Sequence, residues 1–492
     1  MSLPPFSGPP ERDRPVLVAA AVDGFTHGRD VAGLRGDDLL GFVRRVVERV
    51  PAYRDLLGGR EVDDFAALPA IDKASYVRAY PLPARCWDGR LDSCDVVAVS
   101  SGSSGSPTVW PRSRVDELRV ARSFERILGE AFRADRRTTL AVVCFPLGTW
   151  VGGLYTLACT RLVAAKGYPI TAVAPGNVVE EILGVVSDLG PHVDQVVLLG
   201  YPPFLKEVVD AGRRRGVDWA SYRPKFVLAG EVISEAWRDL VARRAGVGDP
   251  ARDIVSMYGT ADAGVLATET PLSTTIRRFL AEQPELVEEL FGRPRLPTLA
   301  QFDPAAVHLE ESGGTLLLTT DGGVPLVRYA IGDAGGVIDA AAMEEFCTRH
   351  GFAAGTPADL PARAWPFVFV FGRALSSVSY FGTNVDADTV SVALERPPVS
   401  EAVTGKFVLD TPEDADLDRY LLVTVELAPG AAEHPGLAPA IAEAIGDQLR
   451  RTSSEYRHYV PAERQRPHVV VRPHADPEWF PAGVKHRYVR HG

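Results

Sequence analysis

Between Leu140 and Met257, short apolar runs alternate with segments of helical periodicity. Leu140 to Phe145 is followed by Val178 to Leu189, Val193 to Leu199, Phe204 to Ala211, Lys225 to Leu228, Ser234 to Arg244 and Ile254 to Met257. Brief apolar runs separated by amphipathic stretches read as strands joined by crossover helices. Such crossovers connect parallel strands, so the pattern predicts a helix-covered sheet with its working loops at the strand carboxyl ends. Gly230-Glu231 and Tyr258 to Asp262 both fall at such ends.

Upstream, about Asp37 to Leu57 sets Leu40, Phe42, Val43, Val46, Val47 and Val50 at helical spacing against an Arg-rich face, and Val115 to Phe132 again reads helical. Thr270 to Val307, with Phe279, Leu280, Leu286 and Leu290, reads as a helical excursion. After Phe371, strands near Ala402 to Val408, Tyr420 to Leu427 and His468 to Val471 accompany a helix striped with Leu437, Ile441, Ile445 and Leu449. A chain of 492 residues exceeds the size at which one core keeps growing. The expectation is an α/β fold: a large N-terminal domain with mainly parallel sheets covered by helices, and a small mobile α+β C-terminal domain. Residues 1–15 are expected to be a disordered N-terminus, 16–372 the large domain and 373–492 the small one.

Val99 to Thr108 reads Val-Ser-Ser-Gly-Ser-Ser-Gly-Ser-Pro-Thr. Gly102 and Gly105 let backbone N–H groups converge on an anion, and Ser100, Ser101, Ser103, Ser104 and Thr108 add hydroxyl donors, which suits a polyphosphate. A Ser/Gly run alone describes a flexible linker equally well. The loop lacks the lysine of a P-loop, with Ser106 where a cation might stand. Its partners follow in order: Leu228-Ala229-Gly230-Glu231, Met257 to Asp262, Pro325 to Asp333, Phe371-Gly372-Arg373 and Gly483-Val484-Lys485.

This ordered set resembles the adenylate-forming superfamily of acyl-CoA synthetases, peptide-synthetase adenylation domains and luciferases. Val47-Glu48-Arg49-Val50-Pro51-Ala52-Tyr53-Arg54, Leu68-Pro69-Ala70-Ile71-Asp72-Lys73 and the Gly-Gly segment from Phe145 to Leu154 are similar to the phenylacetate-CoA ligase-like branch. The resemblance implies that Ser100 to Thr108 hold the β- and γ-phosphates of ATP and that Tyr258 lies flat against adenine, with Gly230 and Glu231 bordering the purine and Gly259 among the cofactor-binding residues. It further implies that Thr260 meets the α-phosphate, Asp262 holds Mg²⁺, Asp333 and Arg373 hold the ribose, and Lys485 swings in to bridge acid and α-phosphate. Phe145, Trp150, Gly152, Gly153, Tyr155 and Tyr201 are candidates for an apolar acid pocket. Each has a plainer reading: Tyr258 as a core aromatic, Asp333 as a turn residue after Gly332, Lys485 as a solvated charge. Asp262 stands where the family usually has glutamate, and Ala374-Leu375-Ser376-Ser377 lacks the paired acids that usually follow Gly-Arg.

The implied activity is an ATP-dependent, AMP-forming ligase that activates a small aromatic carboxylic acid and passes it to CoA, an amine or a carrier protein. One alternative is a diazotase that activates nitrite for transfer to an arylamine in specialised metabolism, and another is a catalytically degenerate nucleotide-binding scaffold. With 53 Lys and Arg against 64 acids the net charge is −11, which disfavours nonspecific binding to nucleic acid or an anionic membrane. Cys86, Cys94, Cys144, Cys159 and Cys347 lack C-x-x-C spacing, and the start lacks signal-peptide character, so a cytoplasmic protein is expected, with a homodimer allowed for.

Overall fold

The computed structural model describes residues 22–25, 39–92, 94–100, 108–353, 355–357, 359–361, 363–373, 377–480 and 488–490. The apolar runs read from the sequence become β3 (Thr139–Val143), β5 (Gln195–Gly200), β6 (Lys225–Ala229) and β7 (Ile254–Thr260), preceded by the β1 (Val96–Ser100) and β2 (Thr108–Arg112) hairpin. Helices Val151–Ala165, Val179–Leu189, Pro202–Arg214 and Glu235–Ala245 cross between them. Together with β4 (Ile170–Val173), strands β3, β5, β6 and β7 pair in parallel. β3 and β5 are buried from end to end, as strands covered on both faces must be.

The sheet then changes character. β8 (Gly264–Thr268), β9 (Thr298–Gln301), β10 (His308–Ser312), β11 (Thr315–Thr320), β12 (Leu326–Ile338) and β13 (Phe367–Arg373) extend it in antiparallel pairings, giving the strand order β10-β11-β12-β13-β9-β8-β7-β6-β5-β3-β4. The helix-covered parallel sheet expected from the alternation is thus one half of a mixed sheet of eleven strands. Two further differences have local causes. The single helix expected over 37–57 is two, Leu39–Arg49 and Pro51–Leu57, because Pro51 cannot donate to the preceding turn and opens a new helix instead. The excursion at 270–307 holds helices Pro271–Ala281 and Pro284–Phe291 but ends in β9, four residues whose strand character comes from pairing with β13.

Beyond the large sheet, β14 (Ser377–Tyr380) and β15 (Thr383–Asp386) form a hairpin, and β16 (Val403–Asp410), β17 (Leu422–Leu427) and β18 (His468–Arg472) form a three-stranded sheet. Helix Leu437–Thr452 buries Leu437, Ile441, Ile445 and Leu449, the stripe read from the sequence. The hairpin turn is Phe381-Gly382, both at positive φ (51° and 76°), as a two-residue turn between twisted strands requires. A Cβ on Gly382 would stand 2.2 Å from the Tyr201 ring, so glycine is also what lets this turn rest on the large sheet. Among the described residues no helix is long and apolar enough to cross a membrane.

Candidate active site

The purine and ribose candidates converge at the carboxyl end of β7. Tyr258 and Asp333 are both buried, and the Tyr258 hydroxyl donates to Asp333 Oδ2 over 2.9 Å. Asp333 lies on β12 in register with Arg373 on β13, so the strand pairing sets these two backbones side by side. Nothing in the local sequence around either residue dictates this convergence; the antiparallel half of the sheet supplies it.

Thr260 and Asp262 sit in the tight connection from β7 to β8. The Thr260 hydroxyl accepts from the Ala263 N–H at 3.1 Å and so shapes its own turn. Asp262 is buried; its Oδ2 accepts from the Tyr329 hydroxyl at 2.7 Å, and its Oδ1 lies 3.4 Å from Lys73 Nζ. Lys73 arrives there because Ile71 pairs with β12, donating to the Arg328 carbonyl at 3.0 Å and accepting from the Ala330 N–H at 2.7 Å. Asp72 and Ser75 close a capping box behind it. Neither Lys73 nor Tyr329 was assigned a role from the sequence, although both lie in quoted motifs; the missing information was which carboxylate they would meet.

Gly230 and Glu231 follow β6 as expected. Glu231 is buried and accepts from the Gly382 N–H at 2.8 Å and from Arg419 Nη1 at 2.7 Å. Burial pushes its carboxyl up from the ordinary range, against the opposing pull of Arg419 and the Gly382 N–H. Glu231 therefore ties the large sheet to the residues beyond β13, a connection with no signal in the local sequence.

Of the acid-pocket candidates, Phe145 and Tyr201 pack edge to face at 4.9 Å between ring centroids. Tyr459, from helix Ser454–Tyr459, lies 5.3 Å from Tyr201 and 5.2 Å from Trp150. Asn177 Nδ2 holds the adjacent His458 carbonyl at 2.6 Å. Gly152 faces Phe145 and Tyr201, whereas Gly153 faces the Pro146 carbonyl, where a Cβ would fall 2.2 Å from the oxygen. Tyr155, on the same helix, turns away from this cluster toward Arg112, whose guanidinium carbon is 6.0 Å from its ring centroid.

The serine loop is described only at its ends: Ser100 and Thr108 are register partners across the β1–β2 hairpin. β1 is tied to the pocket segment by the Val99 N–H donating to the Thr149 carbonyl at 3.0 Å. Ser101, Gly102, Ser103, Ser104, Gly105 and Ser106 lie outside the described residues, as do Ala374 to Ser376 and Lys485. Among the described residues no group of three or more His, Cys, Asp or Glu side chains gathers as a metal-only site would need. Asp262 is a buried carboxylate whose oxygens face Tyr329 and Lys73.

No protein-family model matches the chain, and no curated protein sequence matches it. Solved structures do. A 2-hydroxyisobutyryl-CoA ligase in complex with 2-HIB-AMP and CoA, in the thioesterification state, aligns over 100% of this chain and 95% of its own, at 15% identity and a TM-score of 0.62. The same ligase in the postadenylation state with R3-HIB-AMP gives 14% identity, the same coverages and a TM-score of 0.51. Its open conformation with 2-HIB-AMP and CoA covers 99% of this chain and 97% of its own, at 15% identity and a TM-score of 0.50. With a mixed α/β sheet of this order and a match over its full length, the chain has the adenylate-forming ligase fold.

Proposed function

We propose that the chain is an ATP-dependent, AMP-forming ligase of the phenylacetate-CoA ligase-like branch, activating a small aromatic carboxylic acid as its adenylate and passing it to CoA or an amine. The observation that carries this reading is the Tyr258–Asp333 contact. Two residues singled out for adenine and ribose, far apart in the chain, meet in one buried wall, with Thr260 and Asp262 on the adjoining turn.

Attack of a carboxylate on the α-phosphorus brings two anions together, so the residues must place them in line and offset their charge. In this reading Tyr258 lies against adenine, Asp333 and Arg373 hold the ribose hydroxyls, and Thr260 meets the α-phosphate. Ser100 to Thr108 carry the β- and γ-phosphates, and Lys485 bridges the acid and the α-phosphate. Asp262 would hold Mg²⁺, which neutralises phosphate charge when bound, and release of Asp262 frees Lys73 to face the same anions. Phe145, Trp150, Gly152 and Tyr201 form the acid pocket, with Gly153 setting its helix close to Pro146.

Residues 373–492 act as a small lid domain that rotates between the two half-reactions. The higher TM-score against the thioesterification state, 0.62 against 0.51 and 0.50, supports reading the described arrangement as the acceptor-transfer one, with Tyr459 and Gly382 seated on Tyr201.

The test is conversion of ATP to AMP and pyrophosphate by the purified chain with Mg²⁺ across aryl and alkyl acids, each with CoA or hydroxylamine. Acid-dependent turnover that Lys485→Ala abolishes supports the reading; turnover unchanged in that variant overturns the assignment of Lys485. Nitrite activation for transfer to an arylamine is a second reading, favoured by Asp262 standing in the Thr260-Ala261-Asp262 turn where the family usually has glutamate. Turnover with nitrite plus an arylamine and with no acid identifies that activity, and no turnover at all identifies a degenerate scaffold.

A further inference from the structure

Half of the residues from Asp410 to Arg419, in the connection between β16 and β17, are acids. Such a run is ordinarily a solvated turn, loosened by its own repulsion. Here it is closed on itself. Asp414 Oδ1 accepts from the Asp416 N–H at 2.8 Å and from the Asp418 N–H at 3.0 Å, and the Leu417 N–H donates to the Asp414 carbonyl at 2.9 Å. Leu417 stands at a φ of 58°, a conformation costly for a bulky side chain, so its surroundings hold the turn in place.

Those surroundings are two helices on the large sheet. Lys206, on helix Pro202–Arg214, has a completely buried side chain; its Nζ donates to Asp418 at 2.6 Å, to Asp416 at 3.4 Å and to Asp210, one turn along its own helix, at 3.0 Å. Arg244, on helix Glu235–Ala245, pairs with Asp210 at 2.7 Å and with Asp416. The other oxygen of Asp418 accepts from Arg464 at 3.2 Å. Burial pulls the Lys206 ammonium toward neutrality, but its hydrogen bonds to Asp418 and Asp210 hold it above its ordinary range.

These six side chains balance three cations against three acids, yet they divide unequally. Lys206, Arg244 and Asp210 leave one positive charge on the large sheet's side, and Asp416, Asp418 and Arg464 leave one negative charge beyond β13. The two halves attract across the contact. They can also part, because Asp210 stays with Lys206 and Arg244 and leaves neither cation stranded without an acid.

We propose that the Asp416-Leu417-Asp418 turn is a latch for the small domain: docked on Lys206 and Arg244 it positions that domain for transfer to the acceptor, and it releases for adenylate formation. Lys206 and Arg244 are then positioning residues. The contact stands on the geometry alone; its place in the cycle rests on the ligase reading and the domain rotation that goes with it.

The test follows the burial of Lys206. The full chain is acetylated with a limiting N-hydroxysuccinimide ester, and the rate at each lysine is read by peptide mass spectrometry. Lys206 and Lys225 are both buried and paired with acids, but only Lys206 lies under the turn, and both are expected to react about 10-fold or more slower than the half-exposed Lys406. In Asp416→Arg and in Asp418→Asn, and in the wild type when chloride is raised from about 0.05 to about 0.5 M, Lys206 is expected to react about 5-fold faster with Lys225 unchanged. Asp416→Glu, which keeps the charge, should retain the protection. The Asp416 side chain is more than half exposed, so its variants fold, and the salt series needs no substitution. In Asp416→Arg, product formation should slow several-fold while the first-turnover release of pyrophosphate stays within about twofold. Lys206 protection unchanged in both variants and at high salt, or Lys206 and Lys225 rising together, overturns the latch. Transfer unchanged despite the Lys206 shift overturns its place in the cycle, whereas the Lys206 shift in a chain that forms no AMP removes the ligase reading and leaves the contact.

Discussion

The Tyr258 hydroxyl donates to Asp333 across 2.9 Å, joining the last parallel strand of the large sheet to the long antiparallel strand β12. The pair sets the plane of the Tyr258 ring. Tyr258→Phe is expected to lower stability by about 1 kcal/mol, the usual net worth of one hydrogen bond, while retaining turnover. Asp333→Ala is expected to raise KM for ATP about 10- to 100-fold by removing a charged acceptor. Thermal melts and ATP-dependent pyrophosphate release separate the two effects.

Lys73 is one-third exposed, but the Asp262 carboxylate it faces is buried and otherwise held by the Tyr329 hydroxyl. Lys73→Ala is therefore expected to lower stability by about 1–2 kcal/mol while lowering kcat for AMP formation about 10-fold or more. A variant with full kcat would remove Lys73 from the site.

Arg419 is the cation on the buried Glu231 carboxylate. Arg419→Ala leaves that carboxylate uncompensated and is expected to cost about 3 kcal/mol. Adding Glu231→Gln should restore part of the loss, and denaturant unfolding of both variants measures the coupling. Additive losses would mean that the two residues act independently.

Glu207, on helix Pro202–Arg214, is pushed up to about 7 by burial, with Glu463 adding repulsion and Arg464 opposing it. The folded protein thus holds this proton more tightly than the unfolded chain does. The contribution is full below the unfolded value and is lost as pH rises toward 7 and beyond. Glu207→Gln is expected to raise the melting temperature relative to wild type more at pH 8 than at pH 5, read by paired melts; an equal difference at both pH values would refute the shift.

Tyr459 closes on Tyr201 and Trp150 from the residues beyond β13. Tyr459→Ala is expected to slow transfer to the acceptor several-fold while leaving adenylate formation within about twofold, because the first half-reaction in the proposed cycle uses another placement of these residues. Separate assays of pyrophosphate release and product formation distinguish the steps.

Much of the fold was legible because periodicity is a local property. The strands at β3, β5, β6 and β7 and the helix stripe at Leu437 to Leu449 follow from hydrophobic spacing within a few residues. β4 escaped because it is a four-residue edge strand with only Ile170 fully buried, and β9 because a strand so short is defined by its partners. The residue types of the proposed nucleotide wall, Tyr258, Thr260, Asp262 and Asp333, were also legible, since each belongs to a short motif with its own chemistry.

The sequence by itself determined where strands and helices lie in the parallel half and which residue types carry the chemistry, because both depend on neighbours in the chain. Only the tertiary structure decided that Tyr258 bonds Asp333, that Lys73 and Tyr329 share Asp262, that Glu231 is matched by Arg419, and that Arg112 is buried beside Tyr155. Burial and charge pairing between distant segments depend on sheet order and register, which no local window of sequence contains.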